Sequence, residues 1–142
     1  MKRLIRHGVF ETNSSSSHSI SIARGAKIYE TLKVDIYGCV RIKPGEFGWD
    51  EERFYEPEDK ASYAMAYAAK QPNGDCLEML GDVIKEHTGC KTVLFGEDEC
   101  RNFGYIDHQS DDVCMDAFAS KEALKEFLFN PESYVETDND NH

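Results

Sequence analysis

The chain alternates apolar and polar positions in its first third, takes a helical period in the middle, and returns to short β-type runs before one more helix. Ser17 to Ile22 sets Ile20 and Ile22 on one side and Ser19 and Ser21 on the other, the period of a half-buried strand, and Arg24-Gly25 ends it. Leu4 and Ile5 predict a shorter strand upstream, which leaves the serine run as the loop between the two. Val34 and Ile36 alternate, Tyr37-Gly38 marks a turn, and Val40 and Ile42 alternate again before Pro44-Gly45, a spacing that predicts a hairpin.

The period then changes. Pro57 suits a first helical turn, and Glu56, Glu58 and Asp59 complement the positive end of the helix dipole ahead of an alanine-rich run to Lys70. Tyr63, Ala66, Tyr67 and Lys70 share a face, so the tyrosines read as packing residues rather than a platform for bases. Gln71-Pro72-Asn73-Gly74 stops this helix. Asp75 reads as the cap of the next, whose stripe is Leu77, Leu80, Val83, Ile84 and His87 up to Gly89, with His87 a helix-end histidine rather than a ligand. Lys91 to Phe95 and Phe103 to Asp107 predict two strands divided by Glu97-Asp98-Glu99. Ser120 precedes a helix over 121–129 with Leu124, Phe127 and Leu128 on one face, and Asn130-Pro131 ends it. Ser133 to Glu136 predicts a last strand. These elements do not alternate as βαβ, so the expected class is α+β: a single compact domain over 1–136 with a mixed or antiparallel sheet and about three helices, followed by a polar acidic tail over 137–142.

Composition and charge narrow the function. The length of 142 residues and 40% hydrophobic content support one buried core. Lys plus Arg number 16 against 27 Asp plus Glu, a formal net charge of −11, which argues against direct nucleic-acid binding through phosphate neutralisation. An acidic surface can instead compete with nucleic acid for the basic groove of another protein. The five cysteines, Cys39, Cys76, Cys90, Cys100 and Cys114, are odd in number and lack a C-x-x-C pair, as expected of buried thiols in a reducing compartment. Met1 to His7 turns polar after two aliphatic residues and offers neither an apolar signal region nor a membrane span, so a cytoplasmic protein is expected.

Several constellations could carry chemistry. Glu11, Asn13, Ser14, Ser15, Ser16, Ser17 and His18 supply donors, acceptors and a group that titrates near neutrality. Joined with Asp107 and His108, Glu11 and His18 would form the carboxylate and imidazole set that a divalent metal accepts, and such a site could activate water for hydrolysis. No metal is assigned from spacing, because ninety residues between the histidines leave no ligand pattern to test. A serine nucleophile lacks the G-x-S-x-G elbow. Phosphate capture by the serine loop with Arg6, Arg24 or Arg41 would make a nucleotide-sequestering module, although no P-loop is present and the negative field opposes it. Gly45 to Tyr55, with Phe47, Trp49, Phe54 and Tyr55, is either a core corner or a partner anchor. Asp138 and Asp140 could face a hard cation, but a solvated tail fits them better.

Arg6 to Ser19, Phe47-Gly48-Trp49, Ile106 to Ser110 and Phe127 to Asn141 together resemble a family of small proteins encoded by tailed bacteriophages and prophages. The resemblance brings no fold, activity or site residue with it. It implies an accessory factor acting on host machinery in the host cytosol. The expectation is a non-enzymatic inhibitor of a host defence or nucleic-acid-processing protein, anti-CRISPR-like, that needs no cofactor. Its acidic contacts would come from Asp50, Glu51, Glu52, Glu56, Glu58, Asp59, Glu97, Asp98, Glu99, Asp111 and Asp112. The metal-dependent hydrolase and the nucleotide module stand as its rivals.

Overall fold

Pro57 and the alanines behind it start a helix that the fold then surrounds. The computed structural model describes residues 16–47, 52–72, 74–96, 103–106 and 113–139, with backbone alone at positions 16–18, 105, 106, 113, 114, 138 and 139. Among the described residues, seven strands and three α-helices run in the order β1 (Ser16–Ser21), β2 (Cys39–Ile42), β3 (Glu46–Phe47), β4 (Glu52–Phe54), α1 (Pro57–Ala69), α2 (Asp75–Thr88), β5 (Thr92–Phe95), β6 (Tyr105–Ile106), α3 (Lys121–Phe129) and β7 (Tyr134–Asn139). A 3₁₀ helix, Val113–Ala119, precedes α3. The class is α+β, with an antiparallel sheet, as the patterning predicts.

Three small sheets frame the helices. The largest is antiparallel, in the order β1-β7-β4, and two parallel pairs, β2-β5 and β3-β6, complete the set. Small residues at Ala61, Ala64, Ala66 and Ala68 let neighbours close on α1 from all sides, so every residue from Lys60 to Ala68 is buried. Against it pack Leu80, Val83 and Ile84 of α2 and Leu124, Phe127 and Leu128 of α3. Burying each of these large side chains contributes about 2 kcal/mol. The expected tyrosine face is core: Tyr63 meets Phe47 edge-on at 5.1 Å, and Tyr67 stacks on Phe118 at 5.5 Å.

Several local expectations hold. Ser120 caps α3, its Oγ accepting from Ala123 N at 3.0 Å. Gly89 ends α2 at φ +77, the left-handed region where glycine carries no Cβ penalty. His87 stacks on Phe129 at 4.0 Å with Nε2 placed 2.8 Å from Glu30 O, a helix-end packing residue as read. Cys39, Cys76 and Cys90 are free thiols, but of the expected buried set only Cys90 is buried; Cys39 and Cys76 are half-buried, burial pushes the Cys76 thiol up, and Cys100 lies outside the described residues.

Others are corrected. The hairpin over 34–42 does not form: residues 34–36 are irregular, and β2 pairs in parallel with β5, Val40 opposite Val93. Parallel pairing puts its crossover through α1 and α2, a long-range arrangement that local turn chemistry does not announce. Asp75 is the first residue of α2 rather than its cap, which is Gly74. The strand expected over Phe103 to Asp107 is the short β6, paired with β3. The last strand continues through Thr137, Asp138 and Asn139, into the segment read as tail, because β1 on one side and β4 on the other supply its backbone partners. The predicted strand at Leu4-Ile5 lies outside the described residues.

Candidate interaction face

Of the proposed metal-hydrolase set, Glu11, Asp107 and His108 lie outside the described residues, as do Asn13, Ser14 and Ser15 of the polar loop. His18 lies in the strand that the alternation from Ser17 predicts. It is a strand position of β1, opposite Thr137 of β7, and Ser16 and Ser17 pair with Asn139 and Asp138. Among the described residues no group of three or more His, Cys, Asp or Glu side chains is placed to hold a metal ion. Asp50, Glu51, Glu97, Asp98, Glu99, Asp111 and Asp112 of the proposed acidic surface also lie outside the described residues, whereas Glu52, Glu56, Glu58 and Asp59 lie within them.

The most polar constellation inside the molecule is one the sequence reading missed. Lys60 is 0% exposed, and its Nζ donates to Asn130 O at 3.0 Å and Ser133 O at 2.9 Å. Burial pushes its pKa down to about 8, against the pull of Glu30 and Glu56 toward the charged form. Close by, Glu126 accepts from Asn130 Nδ2 at 3.0 Å, Gly25 N at 3.2 Å and Tyr29 OH at 2.8 Å. Burial alone would raise the Glu126 carboxyl, but these donors outweigh it and hold the group below its ordinary range. Ser133 Oγ donates to Glu126 O and accepts from Ala23 N at 2.9 Å. The network ties loop 23–30 to the end of α3 and the start of β7. A lysine with a depressed pKa is chemically able to act as a nucleophile, yet this amine is enclosed and donates to two main-chain carbonyls, which ties α1 to the end of α3 and the start of β7.

An open groove of about 390 Å³ runs beside β1, with Ile20, Ile22, Arg24 and Asp116 against Ser120 and Ala123. Arg24 and the start of α3 would favour an anion, but Asp116 opposes one and the Ser120 hydroxyl is engaged in its cap. The groove offers no assembled phosphate cradle.

The outer face of the antiparallel sheet is different. Its register places Arg53 opposite Glu136 and Phe54 opposite Val135. Strand alternation then sends Phe54 and Val135 into the core and leaves Arg53, Tyr55, Tyr134 and Glu136 on the solvent side. Tyr55 and Tyr134 lie 5.1 Å apart, the Arg53 guanidinium sits 4.8 Å above the Tyr134 ring, and its Nε is 3.4 Å from Glu136. A hydrogen bond with Tyr55 and the nearby Glu136 stabilise the charged Arg53 further. The polar-aromatic cluster therefore divides. Phe47 is core, edge-on to Phe54 at 5.3 Å, while Tyr55 is exposed; Trp49 lies outside the described residues.

Four carboxylates mark the passage from β4 into α1: Glu52 opens β4, on the side of the strand that Phe54 shares, Glu56 is the N-cap of α1, and Glu58 and Asp59 occupy its first turn. Partial burial of Asp59, followed by repulsion from Glu56, Glu58 and Glu52, raises its carboxyl above the usual range, so the four groups share one electrostatic field. Ion pairs among the described residues hold other carboxylates: Arg53 takes Glu136, and Lys121 takes Asp82 and Glu86. Among the described residues no helix is long and apolar enough to cross a membrane. Comparison of the chain with protein-family models, curated proteins and solved structures finds no match.

Proposed function

We propose that this protein acts by binding rather than by catalysis. Its target is a basic surface on a host protein, met by the acid-rimmed aromatic face of β4, β7 and the start of α1. The concrete form is a phage-type accessory factor in the host cytosol that covers the nucleic-acid groove of a defence or nucleic-acid-cleaving effector. The observation that carries this reading is the solvent-side cluster of Tyr55, Tyr134 and Arg53, followed directly in the chain by Glu56, Glu58 and Asp59 at the start of α1. Tyrosine and arginine are the side chains that anchor protein interfaces, and a rim of one charge sign steers a partner of the opposite sign. The charge also serves an ordinary purpose, since Glu58 and Asp59 complement the α1 dipole. That purpose does not call for the exposed Tyr55 directly ahead of them in the chain.

The test is a titration against purified host nucleases and guide-loaded effectors between about 50 and about 300 mM salt, repeated with the double variant Glu56→Lys, Glu58→Lys. Affinity should fall at least about tenfold over the salt range and again on charge reversal. A complex indifferent to both would overturn the acidic-face reading, and failure to bind any such effector would overturn its concrete form.

A further inference from the structure

The outer face of the antiparallel sheet is laid out in rows. Ser19 of β1, Glu136 of β7 and Arg53 of β4 lie side by side in one, and Ser21 lies opposite Tyr134 in the next, where the Tyr55 ring is 5.1 Å from that of Tyr134. Ile20 packs toward the core, so alternation turns Ser19 and Ser21 outward with Glu136 and Tyr134. Tyr134, Glu136 and Tyr55 then close on one guanidinium. Arg53 lies 4.8 Å above the Tyr134 ring, its Nε is 3.4 Å from Glu136 Oε1, and it donates a hydrogen bond to the Tyr55 hydroxyl. A ring face, a carboxylate and a hydroxyl oxygen together suit arginine above other cations, because its planar group stacks, pairs and donates at once. The chain thus holds a formed guanidinium site and fills it with its own residue.

Arg53 is loosely kept there. Its side chain is 52% exposed and that of Glu136 35%, and cation–π contacts and ion pairs so open to water are weak. β4 is the last strand in the order β1-β7-β4, and the long arginine side chain can swing away from β7 while the strand stays paired. On the β1 side the neighbours of Glu136 and Tyr134 are Ser19 and Ser21, short side chains that leave the carboxylate and the ring approachable.

We infer that the cradle of Tyr55, Tyr134 and Glu136 takes an arginine side chain of the protein partner, and that Arg53 is an internal plug which the incoming guanidinium displaces. The inference rests on reading this face as a docking surface, and it names the contact that a basic target makes there. The contacts grip the guanidinium alone, so the incoming arginine can remain part of a folded chain. Lysine fits less well, since its ammonium has no plane to lay on the ring and no fork for the carboxylate. The plug lowers affinity in proportion to the time it stays seated, so only an arginine held in place by a wider contact displaces it fully.

Titration with Nα-acetyl-arginine amide at constant ionic strength, followed by the NMR signals of the Tyr55 and Tyr134 rings, tests this. Arg53→Ala should bind the probe about fivefold more tightly than the intact chain, because the site no longer has to be vacated. Adding Glu136→Gln to that variant should abolish the gain, and Nα-acetyl-lysine amide should move the ring signals of Arg53→Ala less than the arginine probe does. In the intact chain the Arg53 Nε–H signal should shift toward that of a free arginine as the probe enters, a readout that needs no variant. An Arg53→Ala chain that binds the probe no more tightly than the intact one would overturn the inference. So would equal responses to the two amides, or ring signals that move while Arg53 Nε–H stays fixed. Since the probe is a single amino-acid amide and no host protein is present, this experiment can fail while effector binding holds, and the reverse.

Discussion

Lys60 is the residue whose chemistry the fold alters most. Its ordinary pKa of 10.5 falls to about 8 because burial disfavours the ammonium. Between those values the unfolded chain binds a proton that the folded one has released, so stability rises with pH across that window and the burial penalty is present in full below it. Denaturant midpoints of the intact protein and Lys60→Met should therefore diverge in favour of the intact protein from about pH 7 to about pH 9.5. A constant difference would show that the amine is not desolvated. Ser120→Ala removes a cap whose geometry is fully local and should cost about 1 kcal/mol, a drop of about 3 °C in Tm. Gly89→Ala forces a Cβ into φ +77 with open space around it, so the cost is conformational alone, again about 1 kcal/mol by thermal unfolding. Ser120 and Gly89 were legible in the sequence because a cap is made by neighbours in the chain. Lys60 was not, since Asn130 and Ser133 lie 70 and 73 positions away.

At the scale of elements, the start of α1 gathers repulsion that a substitution can relieve. The Asp59 carboxyl is raised by burial and by its acidic neighbours, so the folded state holds that proton more tightly than the unfolded state does. Its contribution to stability is then greatest at acid pH and is lost as pH rises through the unfolded and then the folded pKa. Asp59→Asn should raise Tm near pH 7, and the gain should vanish near pH 3, where both states of the parent are protonated. A gain that persists at acid pH would assign the effect to packing. The element boundaries show where pattern suffices. α1 and α3 have proline, serine and asparagine signals at their ends, and they form where those signals stand. The hairpin failed because alternation in Val34 to Ile42 fits any strand, and only the arrival of β5 decides that β2 pairs in parallel. Ser16 likewise reads as the loop ahead of the strand predicted from Ser17, until β7 offers it Asn139 as a partner.

Among the described residues, Glu52, Glu56, Glu58 and Asp59 share one electrostatic field where β4 passes into α1. A net charge of −11 is a property of composition, whereas polarity across the surface arises only when β4, far from β7 in sequence, is laid against it. The helices, the Ser120 and Gly89 caps and the apolar stripes that make an α+β core were set by the order of residues, because propensity, capping and periodicity act within a few positions of the chain. Sheet order, the buried Lys60 network and the meeting of Arg53 with Tyr134 were decided by tertiary structure. Each joins segments widely separated in the chain, and the free energy that selects them comes from burial and pairing between elements rather than within any one of them.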